Sequence, residues 1–67
     1  MKGKKYTLDQ IRLLETQLSV KRILKKDDLI YVSDDSFSIV QAILMKNDIK
    51  YTVLRDIELQ INTLIIV

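Results

Sequence analysis

Apolar residues recur at helical spacing in the first third of the chain. One stripe comprises Leu8, Ile11, Leu14 and Leu18, and these positions fall on one side of a helix. A second stripe, which projects to nearly the opposite side, comprises Leu13, Val20, Ile23 and Leu24. Because one short helix cannot bury two opposed stripes in a small protein, we expect a break near Ser19. Residues 19–28 then fit a short second helix or a hairpin whose turn is Lys25–Asp28, and we favour an irregular or extended segment that leads into a strand.

Two local signals mark the start of the first helix. Thr7 and Gln10 have the spacing of a capping box, in which each side chain accepts a hydrogen bond from the backbone N–H of the other residue. Tyr6 and Ile11 occupy the two positions of a hydrophobic staple. Together these signals predict a helix that begins at Leu8.

A strand and a second helix are predicted in the middle of the chain. Leu29–Ser33 is a short run rich in β-branched and aromatic residues, which is typical of a strand. A helical stripe follows and predicts a helix over residues 35–46; it comprises Phe37, Val40, Ile43 and Leu44. Asn47 is suited to a left-handed C-cap, so the helix is expected to end there.

Alternating apolar and polar residues predict two strands near the C-terminus. One strand covers residues 49–54 and the next begins at Ile57, with the turn between them at Arg55–Asp56. The alternation slips at Asn62–Thr63, and a β-bulge would explain the slip. The last four residues, Leu64–Val67, are apolar at every position, which indicates either a central strand or half of a subunit interface.

These elements predict a small α+β domain, a two-layer α/β arrangement that includes the whole chain, residues 1–67. An N-terminal helix is followed by a β-α-β-β succession that contains a right-handed crossover. We expect two helices on one face of a three- to four-stranded sheet. The uncovered face must then be polar or be covered by another copy of the chain.

Composition narrows the class of protein. The 67 residues include no cysteine and no histidine, which excludes disulfides and the usual ligands of structural zinc. A chain this short buries only roughly 60% of its unfolded surface, so we expect oligomerisation to support it and predict a homodimer. The N-terminus lacks an apolar signal core and no run approaches the roughly 18 apolar residues of a membrane span, which predicts a cytoplasmic protein without membrane contact. Abundant Ile, Leu and Lys without proline resembles small accessory products of bacteria or phages.

Positive charge is concentrated in the N-terminal part of the chain. Residues 1–26 hold eight Lys/Arg against Asp9 and Glu15, whereas residues 27–67 hold three Lys/Arg against seven Asp/Glu. Residues 1–5 are predicted to form a flexible basic tip. The cations that we predict to contact a protein or nucleic-acid partner are Lys4, Lys5, Arg12, Lys21, Arg22, Lys25 and Lys26.

The adjacent carboxylates Asp34 and Asp35 have two interpretations. At the end of a strand they could hold a magnesium ion, in outline resembling the acidic pocket of response-regulator receiver domains and of haloacid-type phosphatases. Apart from Arg55–Asp56 after another strand, nothing else in those families' pattern has a match here, and we assign the chain to neither. The favoured interpretation is structural: Ser33 is the N-cap, both aspartates lie in the first helical turn, and no metal or cofactor is bound.

A binding function is therefore expected rather than an enzymatic one. The single glycine excludes glycine-rich phosphate loops, and a chain without histidine or cysteine lacks the common nucleophile–base pairs. We predict a regulator, inhibitor or adaptor that acts through protein–protein contacts and self-associates through Leu64, Ile65, Ile66 and Val67. The alternatives are a nucleic-acid-binding accessory protein that uses the basic cations and, less favoured, a magnesium-dependent enzyme with carboxylates such as Asp34.

Overall fold

A computed structural model describes residues 3–17 and 19–67. In chain order its elements are β1 (Lys5–Tyr6), α1 (Leu8–Gln17), α2 (Val20–Ile23), β2 (Leu29–Ser33), α3 (Asp34–Lys46), β3 (Tyr51–Asp56) and β4 (Ile61–Ile66). The strands form one four-stranded mixed sheet in the order β1-β2-β4-β3. The predicted α+β class is confirmed.

The last strand lies inside the sheet. β4 pairs antiparallel with β2 on one side, where Ile30 is opposite Leu64, and with β3 on the other, where Val53 is opposite Leu64. The β2-α3-β3 crossover is therefore split, because β4 separates its two parallel strands. The apolar C-terminal segment is therefore part of a central strand, which is one of the two structures that its sequence indicated.

The helix starts follow the local signals. Thr7 N donates to Gln10 Oε1 (2.8 Å) and Gln10 N donates to Thr7 Oγ1 (3.4 Å), so the capping box is confirmed and α1 begins at Leu8. The predicted break near Ser19 is also confirmed, because α1 ends at Gln17 and a single-turn α2 begins at Val20. The short second helix is therefore present, and the favoured extended segment is wrong for residues 20–23. Leu18, the last member of the first apolar stripe, lies outside the described residues.

The third helix begins after its N-cap Ser33 and ends at Lys46 as predicted, but Asn47 does not have the predicted left-handed conformation. Ser33 is the N-cap residue of α3 and the two aspartates fill the first turn, although the Ser33 side chain makes no capping hydrogen bond. Asn47 is the C-cap with φ −96°, and the left-handed residue is Asp48, with φ 57°. Asn47 donates to the carbonyl of Ile43 twice, through its backbone N–H (3.2 Å) and through Nδ2 (2.8 Å).

The predicted boundary between the last two strands is wrong. β3 runs through Arg55–Asp56, the turn occupies residues 57–60, and β4 begins only at Ile61. No bulge is present at Asn62–Thr63, because the register stays constant along the whole of β4. The alternation slips there for another reason: the apolar residues Ile57 and Leu59 belong to an exposed turn and not to a strand.

One hydrophobic core lies between the helices and one face of the sheet. It contains Ile11 from α1, Val40 and Leu44 from α3, and Ile30 and Leu64 from the sheet, all almost completely buried. Tyr6, the N-terminal member of the predicted staple, packs against this cluster. Both longer helices therefore cover the same face, as predicted, and the opposite face has no helix on it in the described part of the chain.

The start of the chain is hydrogen-bonded to the rest of the fold from Lys4 onward. Leu29 N donates to the Lys4 carbonyl (2.8 Å), and Lys4 N donates to Asp28 Oδ1 (2.8 Å). Lys5 then pairs with Leu29 as the first residue of β1. Of the predicted flexible tip, residues 4 and 5 thus have backbone partners in the fold, and Met1 and Lys2 lie outside the described residues.

Candidate functional site

The sheet presents an apolar face that no helix covers. Side chains alternate along each strand, so in β2, β3 and β4 the residues between those that face the helices point to the opposite side. We define the open face by its five apolar members, which are Leu29, Tyr31, Leu54, Ile61 and Ile65. Tyr31 is 38% exposed and Leu54 is 59% exposed, whereas the other three are half-buried by their neighbours.

A cation and an anion stand at two corners of the open face. Lys5, on β1, places its Nζ 5.9 Å from the centroid of the Tyr31 ring, within the range of a cation–π interaction. Asp56, on β3, pairs with Ile61 and directs Oδ1 to the backbone N–H of Leu59 (3.0 Å). The open face thus combines five apolar side chains with the polar residues Ser33, Thr52 and Thr63, and it has a charged residue at each outer strand.

The β3 strand forms one edge of the sheet, and its outer backbone groups are free among the described residues. Val67 N donates to the Lys50 carbonyl (3.2 Å), which places that pair among the hydrogen-bonded pairs of the β3–β4 ladder. Because such pairs alternate, Thr52 and Leu54 also bond to β4. The N–H and C=O groups of Tyr51, Val53 and Arg55 therefore point away from the sheet.

The residues predicted for self-association are divided between the two faces. Leu64 and Ile66 point into the core and are almost completely buried, so their side chains are already in contact with residues of the same chain. Ile65 belongs to the open face, and Val67 follows the strand and is 65% exposed. Of the four, only Ile65 and Val67 have side-chain surface that a second copy of the chain can reach without a change of fold.

Four of the seven predicted contact cations line one depression, which we call the basic cleft. Its volume is about 720 Å³ and its lining residues are Gly3, Lys4, Tyr6, Arg22, Ile23, Lys25, Lys26 and Asp28. α2 carries Arg22 but ends at Ile23, before Lys25 and Lys26. The cations are brought together instead by the turn after α2 and by the first residues of the chain.

The other three predicted contact cations lie elsewhere. Lys5 is on the open face, and Arg12 is on the exposed side of α1. Lys21 forms an ion pair with Asp48 (3.6 Å between Nζ and Oδ2), and both side chains are well exposed. Such a pair contributes little to stability, because water screens it and both side chains lose freedom.

Asp28 is the residue that shapes the basic cleft, and sequence patterns did not single it out. Its side chain is almost completely buried and accepts one hydrogen bond from Lys4 N (2.8 Å) and another from Lys25 N (2.9 Å). The carboxylate therefore joins the start of β1 to the turn before β2. A Cβ atom on Gly3 would collide with this carboxylate and with the Asp27 carbonyl, which explains the one glycine of the chain.

Asp28 also acts on the tyrosine in the cleft. Burial, and secondarily the negative charge of Asp28, raises the pKa of the Tyr6 hydroxyl above its usual value of 10.0. The hydroxyl is protonated at neutral pH, as it would be at the usual pKa, and can donate a hydrogen bond. Tyr6 thus provides the basic cleft with an aromatic ring and a neutral donor.

Asp34 forms a second polar cluster at the end of β2. Asn62 Nδ2 donates to Asp34 Oδ1 (2.8 Å), and the Arg55 guanidinium donates to Oδ2. The hydrogen bond from Asn62, then that from Arg55, holds the pKa of this carboxyl below its usual value of 3.8. Both oxygens are occupied by side chains of the same fold, which supports a structural role rather than metal binding. Within residues 3–17 and 19–67, no group of three acidic side chains converges as a metal site requires.

The lowered pKa predicts how stability depends on pH. Because the folded pKa of Asp34 lies below the unfolded one, its contribution is complete above about 3.8 and is lost as the pH falls through the folded pKa. We expect Asp34→Asn to lower the melting temperature at pH 7 and to lower it progressively less below pH 4. Melting temperatures measured by circular dichroism from pH 2 to 7 test this. Asp35→Asn is the matched control, and an equal acid dependence in both variants would contradict the assignment.

The fold defines the chain as a small α+β domain with a four-stranded mixed sheet. Comparison with protein-family models, with curated proteins and with solved structures finds no match to it. In the part of the chain that the structure describes, no helix has both the length and the apolar character needed to cross a membrane.

Proposed function

We propose that this chain is a non-enzymatic binding protein, a regulator, inhibitor or adaptor that works as a homodimer through protein–protein contacts. The observation that carries the proposal is the apolar open face together with the free edge of β3. Single exposed apolar residues are normal on a monomer, but a cluster of apolar side chains on one face of a sheet, here with Thr63 among them, is typical of an interaction surface. In antiparallel sheets with one solvated face, that face is normally polar.

The edge of β3 suits a second copy of the same strand. A free edge readily pairs with another strand, and proteins usually shorten, charge or cover such an edge. The backbone groups of β3 that point away from the sheet belong to three alternate residues, Tyr51, Val53 and Arg55. Two copies related by a twofold axis through Val53 place Tyr51 of one chain opposite Arg55 of the other. In this register every outward group of β3 finds a partner.

The side chains are compatible with the same register. The two Val53 residues face each other on the side of the sheet that carries the helices, and Leu54 of one chain is opposite Thr52 of the other on the open face. The Arg55–Tyr51 pair brings a guanidinium beside an aromatic ring. Pairing at β3 joins two sheets edge to edge and makes their open faces continuous, so the dimer offers a protein partner twice the apolar surface.

Substitution of Val53 by proline tests the dimer. Proline removes an outward N–H and leaves the bonds to β4 in place, so Val53→Pro is expected to be a folded monomer. Leu54→Pro is the matched control, because it removes a bond of the β3–β4 ladder and is expected to unfold the chain instead. Sedimentation across a concentration series, with circular dichroism for folding, provides the measurement. A wild-type chain that stays monomeric at high micromolar concentration would remove the dimer from the proposal.

Cross-linking tests the register independently. The chain has no cysteine, so a single introduced thiol can pair only with its copy. In the proposed dimer the Val53 Cα atoms are about 5.5 Å apart, within the range of a disulfide. The two Leu54 residues are diagonal neighbours, about 7–8 Å apart, which is too far. Val53→Cys is therefore expected to give a disulfide-linked dimer on oxidation and Leu54→Cys to give little, and the reverse result would place the twofold axis elsewhere.

A further inference from the structure

The basic cleft lies away from the open face, and the proposed protein-binding function does not use it. Its cations are Lys4, Arg22, Lys25 and Lys26, set around one buried carboxylate, that of Asp28. The ion pairs among the described residues are Lys21–Asp48 and Arg55–Asp34, so none of the cleft's cations is paired with a carboxylate there. The charge of Asp28 is already directed at two backbone N–H groups.

We infer that the basic cleft is a binding site for a nucleotide unit, with its phosphate on the cations and its base against Tyr6 and Ile23. A volume of about 720 Å³ is within the usual range for small-ligand pockets and exceeds what a lone phosphate fills. The lining combines charge with an apolar wall, which a phosphate alone would not use. Arg22 presents a planar donor fork that matches two phosphate oxygens.

Tyr6 decides between a nucleotide and an acidic peptide as the preferred ligand. Every base has a flat face that stacks on an aromatic ring, whereas aspartate and glutamate side chains have no such surface. Tyr6 is half-buried in the staple position against the core, so its ring is held in place before any ligand arrives. A fixed ring beside a cluster of cations is the combination that single-stranded nucleic-acid sites and nucleotide sites share.

The cleft is built by contacts that fix the backbone while leaving the charged side-chain ends exposed. Lys4 and Lys25 are tied by their backbone N–H groups to Asp28, and Leu29 N donates to the Lys4 carbonyl (2.8 Å). The side chains of these two lysines are exposed. Their ammonium groups are therefore available to a phosphate from positions that the fold has already set.

The test uses the full chain in calorimetric titrations at low salt with four probes: AMP, a ten-residue oligothymidylate, pyrophosphate and a glutamate-rich peptide. We expect AMP or the oligonucleotide to bind, more tightly than pyrophosphate or the peptide, and binding to weaken with salt. Binding by AMP indicates a free nucleotide as the source, and binding by the oligonucleotide alone indicates a single-stranded nucleic acid. If neither binds, or if the peptide or pyrophosphate binds as tightly, the inference is overturned.

Matched variants locate the site. Arg22→Gln with Lys26→Gln is expected to weaken binding about tenfold or more, since each lost phosphate contact reduces affinity. Arg12→Gln with Lys46→Gln removes the same two charge types outside the cleft and is expected to change affinity by less than about twofold. Tyr6→Leu keeps an apolar staple residue and is expected to weaken AMP or oligonucleotide binding about tenfold, with pyrophosphate unaffected. Equal losses in the cleft and control variants, or full affinity in Tyr6→Leu, would contradict the assignment.

Discussion

Asp28→Ala is expected to lower the free energy of unfolding by about 3 kcal/mol, because it removes the acceptor of two hydrogen bonds to a charged group. The lost partners are the backbone N–H groups of Lys4 and Lys25, in the two segments that meet at the cleft. In a domain of this size such a loss lowers the melting temperature by roughly 12–24 °C. Thermal and urea unfolding followed by circular dichroism measure both quantities.

The adjacent aspartate supplies a matched control for Asp28. Asp28→Asn and Asp27→Asn remove the same charge at neighbouring positions, but Asp27 is exposed and makes no side-chain hydrogen bond among those described. Asparagine also tolerates the left-handed conformation of Asp27, which has φ 73°. We expect Asp27→Asn to change stability by less than about 0.5 kcal/mol and Asp28→Asn to cost about half as much as Asp28→Ala. Equal effects would mean that net charge, and not these hydrogen bonds, determines the stability of this region.

Asp28→Asn also tests whether the hydrogen bonds that stabilise the fold are needed for ligand binding in the basic cleft. If Asp28 holds Lys4 and Lys25 in place, Asp28→Asn should weaken nucleotide binding even though it makes the cleft more positive. Simple electrostatics predicts the opposite sign, because removal of a negative charge favours an anion. The direction of the change in affinity therefore separates a preorganised site from a diffuse basic surface.

The elements that the sequence predicted correctly are those with local signals. The capping box at Thr7 and Gln10 and the run Leu29–Ser33 identify α1 and β2 because their physical causes lie within a few residues. The β3–β4 boundary failed because Ile57 and Leu59 continue the alternation into an exposed turn, where packing no longer enforces it. The two-residue β1 has almost no sequence signal of its own and depends on pairing with β2.

The candidate sites were predictable only in part, for a related reason. A run of cations is visible in sequence, but which of them converge depends on the turn after α2 and on Asp28, which is remote from Lys4 in the chain. Asp34 was correctly placed in the first turn of α3, yet its contacts with Arg55 and Asn62 span more than twenty residues. The free edge of β3 follows from the central position of β4, which the apolar run Leu64–Val67 indicates only as one of two alternatives.

Two adjacent residues of β4 point to opposite faces of the sheet, one into the core and one onto the open face. Their alanine variants should therefore behave differently. Leu64 is fully buried, so Leu64→Ala creates a cavity and is expected to cost about 3 kcal/mol, a large part of the stability of a domain this small. Ile65 is half-buried on the open face, and Ile65→Ala is expected to cost about 1 kcal/mol. Urea unfolding of the two variants beside the wild type gives both values.

The larger effect of Ile65→Ala is expected in binding. Because dimer formation is assigned to the edge of β3, Ile65→Ala should remain a dimer in sedimentation, whereas its capture of a protein partner from a lysate should fall together with that of Tyr31→Ala. Dissociation of the Ile65→Ala dimer would instead place the subunit contact on the open face, as self-association through Leu64–Val67 requires. Since Leu64 and Ile66 are enclosed by the core, only Ile65 and Val67 of these four residues could take part in such a contact, in which two sheets would pack face to face. An edge-to-edge dimer is lost in Val53→Pro and kept in Ile65→Ala, whereas a face-to-face dimer is lost in Ile65→Ala. The two variants therefore distinguish the two arrangements.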